Sequence, residues 1–225
     1  MKKKYLISLL SVFILAFSIV NVSALEKTNI AIQKEVETYV NNMFYDLEDH
    51  DKVLALPNGG YLHGHAKLVN GLNTDIVYKE YDSETDSNAI TVREVKKSIQ
   101  YDIINMNSVV IQPRGANVPN LESSTIILYD QGTYRSQTFS ASGWRFGGYF
   151  FLSEASTGDY LKWSTYNDSG VVGTHGYASQ TKKTGVAYGK AIYPGTPQYI
   201  SYGRNPQIYY TFNPTNNPYY IVENK

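Results

Sequence analysis

Two histidines stand two residues apart in "YLHGHAKL", His63 and His65, and theirs is the first spacing in the chain that could do chemistry. On a strand, residues i and i+2 share a face. Both imidazoles would then point the same way, the arrangement that a metal site completes with a third ligand. His50 is the favoured third ligand, because a turn at "ALPNGGY" can fold the segment "DLEDHD" back beside that strand. His175 and the acids Asp46, Glu48, Asp49 and Asp51 are the other partners within the sequence. Three protein ligands and an open position for water would make a metal-dependent hydrolase. Gly64 weighs against it, since a glycine between the two histidines lets the backbone bend where a metal needs fixed geometry. Two exposed histidines beside a flexible glycine are the simpler reading.

A second cluster, "DSETDSN", sets Asp82, Glu84, Asp86 and Asn88 at alternate positions, in the manner of a calcium loop. Ser87 occupies the place of the glycine that makes the sharp turn, and Arg93 the place of the bidentate glutamate. A solvated loop is the expectation. There is no Gly-x-Ser-x-Gly elbow, no cysteine nucleophile and no glycine-rich phosphate loop followed by lysine. These residues favour a protein that is not an enzyme and needs no cofactor.

What the sequence has in abundance is aromatic surface, with 21 tyrosines. The stretch "NPQIYYTFNPTNNPYYIV", Asn205 to Val222, is the densest. In "QIYYTF", period-two alternation sends Ile208, Tyr210 and Phe212 to one face and Gln207, Tyr209 and Thr211 to the other. In "WRFGGYFFL", Trp144, Phe146, Phe150 and Leu152 share one face and Arg145, Tyr149 and Phe151 the other. Most such rings fill half-buried sheet positions. Enough remain for some to serve as stacking platforms, and the candidates are Trp144, Tyr149, Trp163, Tyr209, Tyr219 and Tyr220. The last two sit in "NPTNNPYY", whose Asn and Pro residues suit a loop rim.

The elements that must position these residues read as one helix followed by many strands. Ile32, Val36, Val40, Met43 and Leu47 make the apolar face of an amphipathic helix over Asn29–Leu47, with Thr28 or Asn29 as its cap. "YLHGHAKLV" and "TDIVYKEY" alternate as strands across the turn "NGLN". Residues Ile90–Met106 fit both patterns, with β-branched content tipping the choice to strand. A Pro-, Gly- and Asn-rich loop, 112–124, then separates a helix with short strands (25–111) from an antiparallel β-sandwich (125–225). The fold class is therefore mainly β, with one N-terminal amphipathic helix and a smaller β-rich N-terminal part.

The chain opens "MKKKYLISLLSVFILAFSIVNVSALEK", a basic start, an apolar run and small residues at Val22 and Ala24, the order of a secretory signal over residues 1–24. A short lysine-led signal on a chain without cysteine suggests a bacterial, secreted protein, released or loosely associated with the wall. Cleavage removes Lys2, Lys3 and Lys4 and no acid, leaving a slightly acidic chain with no electrostatic case for nucleic acid. No stable membrane span is expected in what remains. A wall precursor, a polysaccharide or a surface protein is the expected partner.

From Gly143 onward, "GWRFGGYFF", "WSTYNDSGVVG", "KKTGVAYGKAIYPG" and "NPQIYYTFN" follow in an order that resembles the secreted bacteriocins of the lactococcin 972 type. The resemblance covers roughly the last 75 residues and rests on small, aromatic and glycine positions. It implies a small antiparallel β-sandwich, an exported product and action on the cell envelope through a wall precursor. The segment before Gly143 has no counterpart in that pattern. Two readings thus stand beside the metal hydrolase. One is a non-enzymatic protein that binds an envelope or extracellular ligand through exposed aromatics. The other is a bacteriocin-like antibacterial protein or membrane-active toxin, for which "STIILYDQGTYRSQTFSASG" would supply an inserting hairpin, though Arg135 and Gln137 interrupt its apolar face and a sheet edge is the simpler reading of that segment.

Overall fold

A computed structural model describes residues 29–105, 116–129, 131–153, 160–166, 175–179, 187–201, 205–215 and 218–225. Residues 1–24, the expected signal segment, and the start of the 112–124 loop lie outside them. The chain divides into two compact units, Met1–Tyr45 with Lys96–Asn107, and Asp46–Val95 with Ser108–Lys225.

The first unit contains helix α1, residues 29–43, whose buried side chains Val36, Val40 and Met43 recur at steps of four and three. Ile32 is exposed and Leu47 lies past the helix end, so the expected apolar face is shorter than its sequence pattern.

The second unit is built of strands. They are β1 (Lys52–Ala55), β2 (Tyr61–His63), β3 (His65–Asn70), β4 (Asn73–Asp82), β5 (Ile90–Thr91), β6 (Thr125–Leu128), β7 (Thr133–Arg135), β8 (Trp144–Ser153), β9 (Tyr160–Tyr166), β10 (His175–Ser179), β11 (Ala187–Ala191), β12 (Gln198–Ser201), β13 (Gln207–Phe212) and β14 (Tyr219–Asn224). One seven-stranded sheet runs β12-β9-β14-β7-β2-β1-β5 and the other β11-β10-β13-β8-β6-β3-β4. Apart from the parallel pair β6–β8, the pairings are antiparallel. One core cluster draws on both sheets, with Leu62, Tyr134, Leu161, Trp163, Tyr220 and Val222 from the first and Ala66, Ile126, Tyr149, Phe151 and Tyr209 from the second. Mainly β with an N-terminal helix is the observed class.

Three expectations are corrected. Ile90–Met106 is not a strand: after the two residues of β5 it forms helix α2, Val92–Asn105. Thr91 and Glu94 explain the switch, because the Glu94 carboxylate accepts from the Thr91 backbone N–H at 2.8 Å while the Glu94 N–H donates to the Thr91 hydroxyl at 3.3 Å. That reciprocal box starts a helix and overrides the β-branched content. Nor does the loop 112–124 part a sandwich from what precedes it, since β2 pairs with β7 and β3 with β6, so both sheets mix strands from the two sides. Finally, β6 and β7 are no hairpin: they lie in different sheets.

Candidate functional site

Gly64 decides the fate of the histidine pair. Its φ of 83° lies in the left-handed region, and there the chain leaves the first sheet at His63 and enters the second at His65. Same-face alternation holds only along one extended strand, so the spacing of two puts the histidines into separate sheets. The His63 Nδ1 is 3.0 Å from the Lys52 carbonyl oxygen. The His65 ring stacks on Tyr129, with centroids 4.2 Å apart. His50 instead lies beside Glu48 and Asp51, at 3.4 and 3.9 Å. His175 opens β10, opposite Thr211. Among the described residues no three His, Asp or Glu side chains are grouped to hold a metal ion.

The loop "DSETDSN" uses its carboxylates on itself. Asp82 accepts from the Glu84 N–H at 2.9 Å and the Thr85 hydroxyl at 2.8 Å, and Asp86 accepts from the Asn88 N–H and side-chain amide, both at 2.9 Å. The backbone donor of Glu84, then the Thr85 hydroxyl, hold the Asp82 carboxyl below the usual aspartate range. These are turn-forming contacts, as expected of a solvated loop.

Of the six aromatic candidates, five are inside. Tyr149, Trp163, Tyr209, Tyr219 and Tyr220 are each at most 2% exposed. Tyr209, Tyr220 and Trp163 form a nearly parallel stack, Tyr220 centred 4.2 Å from Tyr209 and 6.0 Å from Trp163. Tyr219 stacks on Tyr166 at 5.0 Å. The cause is packing: Tyr149, Trp163, Tyr209 and Tyr220 lie in the core shared by the two sheets, and β14 itself runs between β9 and β7. Tyr219 and Tyr220, expected on a loop rim, are instead the first residues of an interior strand, and their rings are buried.

Trp144 is the exception, at 40% exposed. It opens β8 directly opposite Phe212, the last residue of β13, and Phe212 is 38% exposed. Their centroids are 5.0 Å apart, with planes inclined by 52°. Beneath them lies Tyr210, centred 5.7 Å from Trp144 and only 7% exposed. The strand faces are those the alternation predicts. Phe146, Phe150, Ile208 and Tyr210 pack with Leu121 and Val118 into a cluster separate from the inter-sheet core. Leu121 and Val118 cover the apolar outer face of β8 and β13, while its last row, Trp144 and Phe212, is exposed.

Local backbone chemistry fixes this row. Gly143 and Asn213 both have positive φ, 76° and 48°, and bond reciprocally: the Gly143 N–H donates to the Asn213 side-chain oxygen at 2.5 Å, and the Asn213 N–H to the Gly143 carbonyl at 3.0 Å. Glycine and asparagine are the residues that tolerate this conformation. Chain curvature on both sides is thereby set at the residues next to the two rings. Arg145 points to the opposite face, with its Nη1 donating to the Trp144 carbonyl at 2.7 Å. Phe212 was missing from the sequence-derived candidates, although its alternation with Ile208 and Tyr210 already placed it on this face; only its pairing with Trp144 was out of reach.

Among the described residues no helix is long and apolar enough to cross a membrane. Comparison of the chain with protein-family models, with curated proteins and with solved structures finds no match.

Proposed function

We propose that this is a secreted, non-enzymatic binding protein that engages a cell-envelope or extracellular ligand through the aromatic row of Trp144 and Phe212. The observation that carries the reading is the exposure of two large rings, side by side, on strands whose other aromatics are buried. An exposed aromatic pair held by a rigid strand pair gives contact area at low entropic cost, because the rings are already oriented before a ligand arrives. Among the described residues that pack against the two rings, Tyr210, Phe146 and Ile208, there is no acid–base pair. Arg145 faces away and Asn213 spends its side-chain oxygen on Gly143.

The test is retention of the purified protein on isolated bacterial cell walls. Trp144→Ala and Phe212→Ala should each weaken retention by about threefold to tenfold, the equivalent of roughly 0.5–1.5 kcal/mol for a lost aromatic contact. Both variants should keep the wild-type melting temperature to within a few degrees, as the rings are only partly buried. Absence of wall binding by the wild type, or wall binding indifferent to both substitutions, refutes the reading.

A further inference from the structure

The inclination of the two rings restricts what they can hold. Two aromatic side chains can lie together on a flat, ordered surface only if their faces are close to coplanar, because each ring's dispersion contact falls off within a fraction of an ångström of separation. Trp144 and Phe212 are inclined to each other by 52°, and Trp144 to Tyr210 by 60°. The rings form a shallow angle rather than a platform, and the reciprocal bonds between Gly143 and Asn213 lock the strand ends that carry them. An object seated there touches Trp144 and Phe212 with different faces.

Charge narrows the class further. Among the described residues, the neighbours on this face of β8 and β13 are Phe146, Ile208 and Tyr210, with no ionisable group other than a phenol. Arg145, next to Trp144 in the strand, alternates to the other face, and its Nη1 is spent on the Trp144 carbonyl at 2.7 Å. A phosphate or carboxylate bound here would lose water without gaining a partner. An uncharged ligand with apolar C–H faces and hydroxyl edges would not.

We propose that the ligand is a single, uncharged pyranose chain in a twisted or amorphous state, entering the angle between Trp144 and Phe212 with successive sugar faces, and that the flat face of a crystalline polysaccharide is excluded. The inference rests on the binding function proposed above and specifies its ligand.

Pairs of polymers that differ only in order provide the test. The purified protein is assayed by depletion on crystalline cellulose and crystalline chitin, on the acid-swollen amorphous forms of both, and on vesicles of phosphatidylcholine. Retention on at least one amorphous glycan, at least tenfold weaker on its crystalline form and reduced at least threefold by Trp144→Ala or Phe212→Ala, is the expected result. Equal or stronger retention on crystalline polymer overturns the angular geometry, and amorphous-glycan retention that ignores both substitutions overturns the site. Binding to vesicles but to no glycan also overturns the proposal. If cell walls retain the protein and no glycan does, the ligand class fails while envelope binding stands; if neither retains it, both fall.

Discussion

At the scale of single residues, tight ring packing leaves its mark on the glycines. A Cβ placed on Gly147 would lie 2.4 Å from the Tyr220 hydroxyl oxygen and 3.1 Å from the ring carbon that bears it. Tyr220 cannot withdraw, being fully buried between Tyr209 and Trp163. Gly147→Ala should therefore destabilise the protein by about 1–3 kcal/mol, the usual range for overpacking, as read from urea denaturation. A shift of the midpoint within error would mean that the stack is looser than its spacing implies. Asp82 offers a titration. Its carboxyl is held below the usual aspartate range by the Glu84 N–H and then the Thr85 hydroxyl. A depressed folded-state pKa contributes stability above the unfolded value, and that contribution is lost as pH falls through the folded value. NMR titration should place the Asp82 midpoint below those of unbonded aspartates, and Thr85→Ala should raise it; an unchanged midpoint would assign the shift to the backbone donors and His65 rather than to the Thr85 hydroxyl.

At the scale of elements, what was legible in the sequence was periodicity, and what was not was where a periodic run stops. Alternation along "WRFGGYFFL" and "QIYYTF" assigned each ring to its face, inward for Tyr149, Phe151 and Tyr209 and outward for Phe146, Phe150, Ile208 and Tyr210. The same rule failed at "YLHGHAKLV", because one left-handed glycine breaks a strand into two that join different sheets. Gly132 stands next to Gly64, a Cβ at Gly64 falling 3.3 Å from the Gly132 Cα, and between β6 and β7 the chain makes the reverse change of sheet. Exposure was equally hidden, since an aromatic in β14 reads like one at the end of β8, and only the packing of the two sheets, which stacks Tyr220 between Tyr209 and Trp163, buries the first. For α2 the deciding signal was present but local, the Thr91–Glu94 box. Thr91→Ala removes the hydroxyl that accepts from the Glu94 N–H, and a loss of about 0.5–2 kcal/mol is expected. Circular dichroism at 222 nm during thermal melting measures it, with Thr91→Ser restoring the wild-type value. If Thr91→Ala melts as the wild type does, packing and not the cap holds the start of the helix.

At the scale of the whole molecule, strand pairing makes a claim about what can fold alone. A fragment of residues 125–225 would keep β6 to β14, the part that read as a self-sufficient sandwich. It would lose β2 from the edge of β7 and β3 from the edge of β6, leaving a row of unpaired backbone groups on each sheet. Leu54, Leu56, Leu62 and Tyr81 would leave the inter-sheet core as well. At about 1.5–3 kcal/mol for each buried apolar side chain, those four account for roughly 6–12 kcal/mol, which is comparable to the total stability of about 5–15 kcal/mol typical of a domain. The fragment should be expanded and prone to aggregate, with little near-ultraviolet circular dichroism from Trp163 and Tyr220 and poor amide dispersion by NMR. Adding residues 46–95 as a separate chain should recover part of both signals, since β1 to β5 carry the partners that the exposed edges lack. A fragment that unfolds cooperatively and shows the near-ultraviolet signature of the full chain would mean that the first five strands decorate the sandwich rather than complete it.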